Sequence, residues 1–161
     1  MTMSYMIYLT LNGEQQGLIS AGCSSVESIG NRYQSGHEDQ IQVLGLNHNI
    51  TREQHVSHHP INFTKPIDKS SPLLTVSISN NEKVTANFVF YRVNSSGQME
   101  VFYEVKLTGA SIIDVSSSYP HSISDNESMP YERVLLRYDS ITVEHKLAGT
   151  SGYSIWDDRV Y

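Results

Sequence analysis

One cysteine, Cys23, is all the chain has, so an intramolecular disulfide is excluded; a lone thiol suits folding in a reducing cytoplasm. Charge is scarce too. Asp, Glu, Lys and Arg make up 17% of the residues, against about 25% in an average globular protein. The 11 Lys and Arg never form a run and the formal net charge is −6, which leaves no clustered basic face for nucleic acid. No stretch approaches the ~20 apolar residues of a membrane span, so no membrane insertion is expected. The opening MTMSYMIYLTLNGEQQG lacks a basic start and its apolar run is short, so a Sec-type signal peptide is not expected either. The Asn-x-Ser/Thr triplets at Asn49, Asn62, Asn94 and Asn126 are then chance matches. If such a protein leaves the cell, the expected route carries it folded.

What is present is a single composition over 161 residues, the size of one domain, 1–161, with one core. Ser, Thr and Asn fill the place of charge and suit turns and sheet surfaces. Ile7, Leu9 and Leu11 alternate with Met6, Tyr8 and Thr10, and Asn12-Gly13 reads as a two-residue hairpin turn with a return strand from Gly17. Residues 21–36 are small and polar and read as a surface loop. Residues 41–46 form a short strand with Ile41 and Val43 on one side. Residues 47–59 collect turn formers, charges and histidines, a long loop of the kind that usually carries function; extended structure resumes at 61–64.

The clearest sheet signal lies in the middle. Val84, Ala86, Phe88 and Phe90 share one face, Asn94-Ser95-Ser96-Gly97 turns the chain, and Met99, Val101, Tyr103, Val105 and Leu107 alternate on the return. A further strand is expected around 111–115, then a loop over 116–130. The last long strand, 131–146, starts its apolar face with Val134, Leu136 and Tyr138 but continues it with Ile141 and Val143. That change of phase predicts a bulge or corner near Asp139. The expected fold is mainly β, a closed barrel or a sandwich. Residues 71–80 give two opposed signals. A serine followed by Pro72 marks a helix start, while Leu74, Val76 and Ile78 alternate as in a strand.

Phe63-Thr64-Lys65-Pro66-Ile67-Asp68-Lys69-Ser70-Ser71-Pro72 resembles the stretch that leads from a strand into the single helix of hemolysin-coregulated (Hcp) proteins. His37-Glu38-Asp39-Gln40-Ile41-Gln42-Val43-Leu44, the strand over 131–145 and Ile7-Tyr8-Leu9 fit the same family in order and spacing. The resemblance covers essentially the whole chain. It implies a single β-barrel of two packed antiparallel sheets with one short flanking α-helix near 71–80, and homohexameric rings stacked into the hollow inner tube of a type VI secretion system. Implied partners are other copies of the chain, the spike, sheath and baseplate proteins, and small effector proteins carried in the lumen. The implied location is cytoplasmic before firing and extracellular afterwards. The loop that reaches the next ring would map to Asn49, Thr51, Arg52, Glu53, Gln54, His55, His58 and His59. The lumen residue that influences cargo would map to Asn47, which departs from the small hydroxyl residue of some members. Some relatives carry a toxin domain after the barrel; Tyr161 follows the last expected strand by only fifteen residues, so a plain structural subunit is expected.

Other chemistry finds little support in the residues. His55, His58 and His59 sit in a polar loop with no nearby cysteine and few carboxylates, so no metal is expected there. Asp114, His121 and the many serines show no catalytic spacing, and no enzyme activity or cofactor is expected. Cys23 has no basic neighbour closer than Arg32, and the early glycines form no phosphate loop. The tail, 147–161, carries Trp156 and Tyr161, anchors expected to dock on the barrel or on a neighbouring subunit. The alternative to a tube subunit is a monomeric or dimeric β-barrel that binds ligands as a carrier or lectin-like module.

Overall fold

A computed structural model describes residues 5–30, 34–124 and 129–156. In chain order its strands begin with β1 (Tyr5–Gly13), β2 (Gly17–Leu18), β3 (Ile41–Val43), β4 (Gly45–Asn47), β5 (Ile50–Arg52) and β6 (Val56–His58). They continue as β7 (Ile61–Pro66), β8 (Val84–Val93), β9 (Met99–Ser118), β10 (Tyr131–Arg137), β11 (Ser140–His145) and β12 (Thr150–Ile155). The helices are α1 (Val26–Ile29) and α2 (Ser71–Ser79). Among the described residues no helix is long and apolar enough to cross a membrane.

All pairing is antiparallel, along the path β2-β1-β8-β9-β10-β7-β4, with β3 on β1, β11 on β9 and β12 on β11. The inward residues are those the alternation marks: Leu9 and Leu11, Ala86 and Phe88, Val105 and Leu107, Val134 and Leu136. The two layers meet where Phe63 of β7 packs edge-on against Phe88 of β8, ring centroids 5.3 Å apart, a geometry that suits the ring quadrupole. The ladder does not close into a barrel. Its ends are β3 on β1 and β4 on β7, and only Leu44 separates them in the chain; the Leu44 N–H donates to the Thr64 carbonyl at 2.7 Å. The fold is therefore a sheet doubled over on itself, its two ends joined through one residue.

The doubling occurs at one corner. β9 is 20 residues long and serves both layers, pairing with β8 and β11 in its first part and with β10 in its second. The expected separate strand at 111–115 is its far end. It bends at Gly109, whose φ is +60° and where an added Cβ would collide with the Asp139 carboxylate. The facing chain breaks there too, between β10 and β11, and the Asp139 N–H donates to the Thr108 carbonyl at 3.0 Å. The change of phase near Asp139 is this corner: Tyr138 and Ile141 are both buried although the alternation between them shifts.

Two local expectations are corrected. Asn12-Gly13 lies inside β1, because Gly13 still pairs with Val84, and the turn falls on residues 14–16. Glu82 decides this: its carboxylate accepts hydrogen bonds from the Gln15 and Gln16 backbone N–H groups and from Gln16 Nε2 at 2.7–2.8 Å, in space that a side chain at residue 13 would occupy. Burial pushes this carboxyl's pKa up, but the Gln16 and Gln15 hydrogen bonds outweigh it and hold the group below its usual range. The loop over 21–36 also contains α1, so the described residues hold two helices rather than one.

The competing signals over 71–80 resolve as α2. Leu74 is buried, Leu73 and Ile78 pack on the core, and Val76, which completes the strand-like alternation, is 43% exposed. The start of α2 is fixed by a buried ionic cluster. Lys65 of β7 is fully buried and faces Glu132, its cross-strand partner on β10. Its Nζ lies 2.6 Å from Glu132 Oε1, 3.1 Å from Asp68 Oδ1 and 3.0 Å from the Pro66 carbonyl. Ser71 Oγ donates to the same Glu132 oxygen at 2.6 Å, and Asp68 Oδ1 accepts from the Ser70 N–H at 2.9 Å and its hydroxyl at 2.5 Å.

Lys65→Met should destabilise the fold by about 3–5 kcal/mol, because it leaves two buried carboxylates without their cation; chemical denaturation measures this, and a loss under about 1 kcal/mol would contradict it. Gly109→Ala should cost about 2–3 kcal/mol, more than the ~1 kcal/mol expected for Gly97→Ala. Gly97 has φ +82° but open space around it, so equal losses would show that the close approach of Asp139 is unimportant.

Candidate functional site

β5 and β6 form a hairpin apart from the main sheet, with Ile50 opposite His58, Thr51 opposite Ser57 and Arg52 opposite Val56. The expected irregular loop is thus ordered. Its turn is short, the Glu53 N–H reaching the His55 carbonyl at 3.4 Å. Thr51, Arg52, Glu53, Gln54, His55 and His59 are all exposed and line a shallow groove. Thr51 Oγ1 lies 3.1 Å from His59 Nε2, and the His59 N–H donates to the Asn49 carbonyl at 3.2 Å, which braces the hairpin across its open end.

The base of the hairpin is different. His58 is only 7% exposed. Its Nδ1 lies 2.7 Å from the Tyr138 hydroxyl and its Nε2 lies 2.8 Å from Ser154 Oγ. The Tyr138 hydroxyl also meets His48 Nε2 at 2.8 Å. Trp156 stacks on the His58 ring with centroids 5.8 Å apart and presents an edge-to-face contact to Tyr138 at 4.9 Å. Its backbone N–H donates to the Asp139 carbonyl at 2.8 Å, and the Arg137 guanidinium lies 5.2 Å from its ring centre. Hairpin, sheet corner and β12 therefore meet around one phenol. Burial pushes the Tyr138 hydroxyl up to about 12. Burial, with His58 and His59 nearby, holds His48 below the ordinary histidine pKa. Burial and then His59 lower His58 too, against the opposing pull of a hydrogen bond with Ile155. Both rings are neutral near pH 7.

A family model described as "Type VI secretion system effector, Hcp" matches residues 8–145. The chain belongs to the Hcp family. It is 36% identical to the "Major exported protein" of Pseudomonas aeruginosa over 171 aligned residues, 98% of this chain and 99% of that one. It is 45% identical over 149 residues to "Uncharacterized protein YhhZ" of Escherichia coli K12, covering 92% of this chain but spanning only 37% of that protein's length. The solved "Secreted protein Hcp3 from Pseudomonas aeruginosa" superposes with a TM-score of 0.87 at 35% identity, covering 96% of this chain and 100% of that one.

The segments that carried the Hcp resemblance converge in space. β3, from the segment His37 to Leu44, pairs with β1, Ile41 opposite Leu9 and Val43 opposite Ile7, while the His37 ring stacks flat on Tyr8 at 4.1 Å. The Lys65-to-Ser71 stretch is the buried ionic cluster. Asn47 ends β4 opposite Asn62, exposed, in a depression it shares with His48, Asn49, Pro60 and Asn62. Trp156 sits in the base cluster; Tyr161 lies outside the described residues.

The other chemical candidates are not assembled. Asp114 Oδ1 accepts from Ser116 Oγ, whereas His121 Nδ1 takes the backbone N–H groups of Ile123 and Ser124. Burial, and then the negative charge of Asp68, pushes the Cys23 thiol up to about 12, so it is not a nucleophile at neutral pH. Among the described residues no three His, Cys, Asp or Glu side chains form a metal-holding group.

His48, Tyr138 and Ser154 were not legible as site residues, because nothing in their spacing brings three distant segments together. Only the phase shift beside Tyr138 marked its position as unusual.

Trp156→Ala should lower stability by about 2–3 kcal/mol, as loss of a partly buried aromatic ring does. Tyr153→Ala, which removes a side chain from a residue 66% exposed, should cost under about 0.5 kcal/mol. Equal shifts in melting temperature would show that the tail makes no stabilising contact through Trp156.

Proposed function

We propose that this chain is the repeating, non-enzymatic subunit of a type VI secretion inner tube. Six copies close a ring through unlike patches on neighbouring subunits, as a cyclic assembly requires. Rings stack head to tail, with Asn49, Thr51, Arg52, Glu53, Gln54, His55 and His59 of the hairpin meeting the next ring and His58 rooting it. The tube is held in the cytoplasm and then expelled with spike, sheath and baseplate proteins as partners. Small effector proteins travel in its lumen, where Asn47 contacts them. Trp156 anchors the C-terminal segment to the subunit body.

The observation that carries this reading is the β5–β6 hairpin. It shares no ladder with the main sheet, is exposed along Ile50, Thr51 and Arg52, and stands on a buried base. A projecting, polar, internally braced element is suited to a contact between copies rather than to packing within one. Family membership and the exported or secreted relatives point the same way. The alternative, a monomeric or dimeric ligand-binding module, leaves the hairpin without a role.

Sedimentation of the purified chain should give a species of about six subunits at micromolar concentration, as a specific interface of ~1,200–2,000 Å² allows. The double substitution Arg52→Glu, Glu53→Lys should leave that species intact and weaken its end-to-end association at least about tenfold. A chain that stays monomeric or dimeric at all concentrations would favour the ligand-binding alternative.

A further inference from the structure

We propose that the Tyr138 hydroxyl, shared by the imidazoles of His48 and His58, is an acid-sensitive latch that fixes the β5–β6 hairpin to the sheet corner and to β12. The proposal rests on the reading of the hairpin as the ring-to-ring contact only for its consequence; the latch itself is a property of the single subunit.

The latch needs at least one neutral ring, because the phenol proton must have an acceptor. One phenol proton lies between two ring nitrogens, 2.7 Å from His58 Nδ1 and 2.8 Å from His48 Nε2. With neutral rings the chain of donors is complete in either direction. In one, the Ser154 hydroxyl donates to His58 Nε2, His58 Nδ1–H donates to the Tyr138 oxygen, and the phenol donates to His48 Nε2. In the other, every bond in that chain is reversed. With both rings protonated, both nitrogens facing the phenol are donors and the phenol proton has no acceptor. A buried donor without a partner is costly.

The surroundings do not compensate the added charge. None of the ion pairs among the described residues includes His48 or His58. The charged or titratable groups around the cluster are His59 at the end of the hairpin, Arg137 over the Trp156 ring, and Asp139 at the corner. His59 and Arg137 add to a positive charge rather than offset it, and the Asp139 carboxylate is packed against Gly109 instead. Burial, with His58 and His59 beside it, lowers the proton affinity of His48, and burial with His59 lowers that of His58 against the opposing pull of the Ile155 hydrogen bond. The sign follows: the latch contributes fully above the ordinary histidine value of 6.5 and is lost as pH falls below it. Because the hairpin has no ladder with the main sheet, the loss is local and the doubled sheet stays folded. The consequence for a tube is contacts between rings that are firm at neutral pH and loose in acid.

Hydrogen–deuterium exchange of the full chain at about pH 7.5 and about pH 5, corrected for intrinsic rates, tests the latch directly. Protection over residues 50–58, relative to β8 and β9, should fall at least about tenfold in acid. Tyr138→Phe keeps the ring and removes the hydroxyl; it should leave the hairpin poorly protected at both values, with the pH dependence flattened. Ser154→Ala, a milder change at the other imidazole nitrogen, should raise hairpin exchange several-fold at neutral pH and serves if Tyr138→Phe does not fold. Equal protection of the wild-type hairpin at both values overturns the proposal, as does a full pH response in Tyr138→Phe or unchanged exchange in Ser154→Ala. Particle size measured on the same samples reports ring formation separately, so a missing ring and a missing latch are distinct results.

Discussion

The Lys65 ammonium has no exposed surface, and a buried cation persists only where carboxylates and hydrogen-bond acceptors enclose it. Glu132 and Asp68 supply the charges and Ser71 the bridging hydroxyl, so one side chain holds together β7, β10 and the entry to α2. Glu132 lies more than sixty residues from Lys65 and from Ser71 in the chain. A slip by one residue would turn every side chain of the strand to the other face of the sheet, and the short ammonium–carboxylate contact adds its own demand on the register in which Lys65 faces Glu132. That register sets Phe63 against Phe88 and places the far end of β10 at the corner where the sheet doubles over.

From the corner outward, each feature depends on the one before. Gly109 lets the Asp139 carboxylate come close, β9 passes from one layer to the other, and Tyr138 is left at the bend with its hydroxyl directed to two histidines. The hairpin and the C-terminal strand then gather on that hydroxyl through His58, Ser154 and Trp156. A rigid sheet thereby carries a projecting element whose attachment is polar and compact. This division of labour suits a subunit that must keep its shape while making contacts with copies of itself.

The sequence made the strands legible wherever one face is buried and the other solvated. The β8–β9 hairpin follows from alternation, and the phase shift after Tyr138 marks the corner. What it misplaced or left open depended on distant partners. Asn12-Gly13 has the local chemistry of a turn, yet pairing with Val84 and the approach of Glu82 carry the strand past it. Leu74, Val76 and Ile78 alternate like a strand, and helix α2 forms because the ionic cluster sets its first turn. The hairpin over 50–58 carries too little apolar periodicity to be read as strands, and its histidines gave no hint that one is buried and two are exposed. The hydroxyl shared by His48 and His58 lies 90 and 80 residues away from them in the chain, beyond the reach of any local pattern. Family resemblance supplied the fold and pointed to that segment, but not the chemistry that holds it in place.

Electron cryomicroscopy of the purified protein tests the central claim most directly, because it shows in one image whether copies close into rings and which segment lies between successive rings. Six-fold annular particles are expected, in short stacks, with residues 50–58 of each subunit seated against the neighbouring ring. Particles that remain single subunits, or rings whose 50–58 hairpins face solvent on every side, would contradict it.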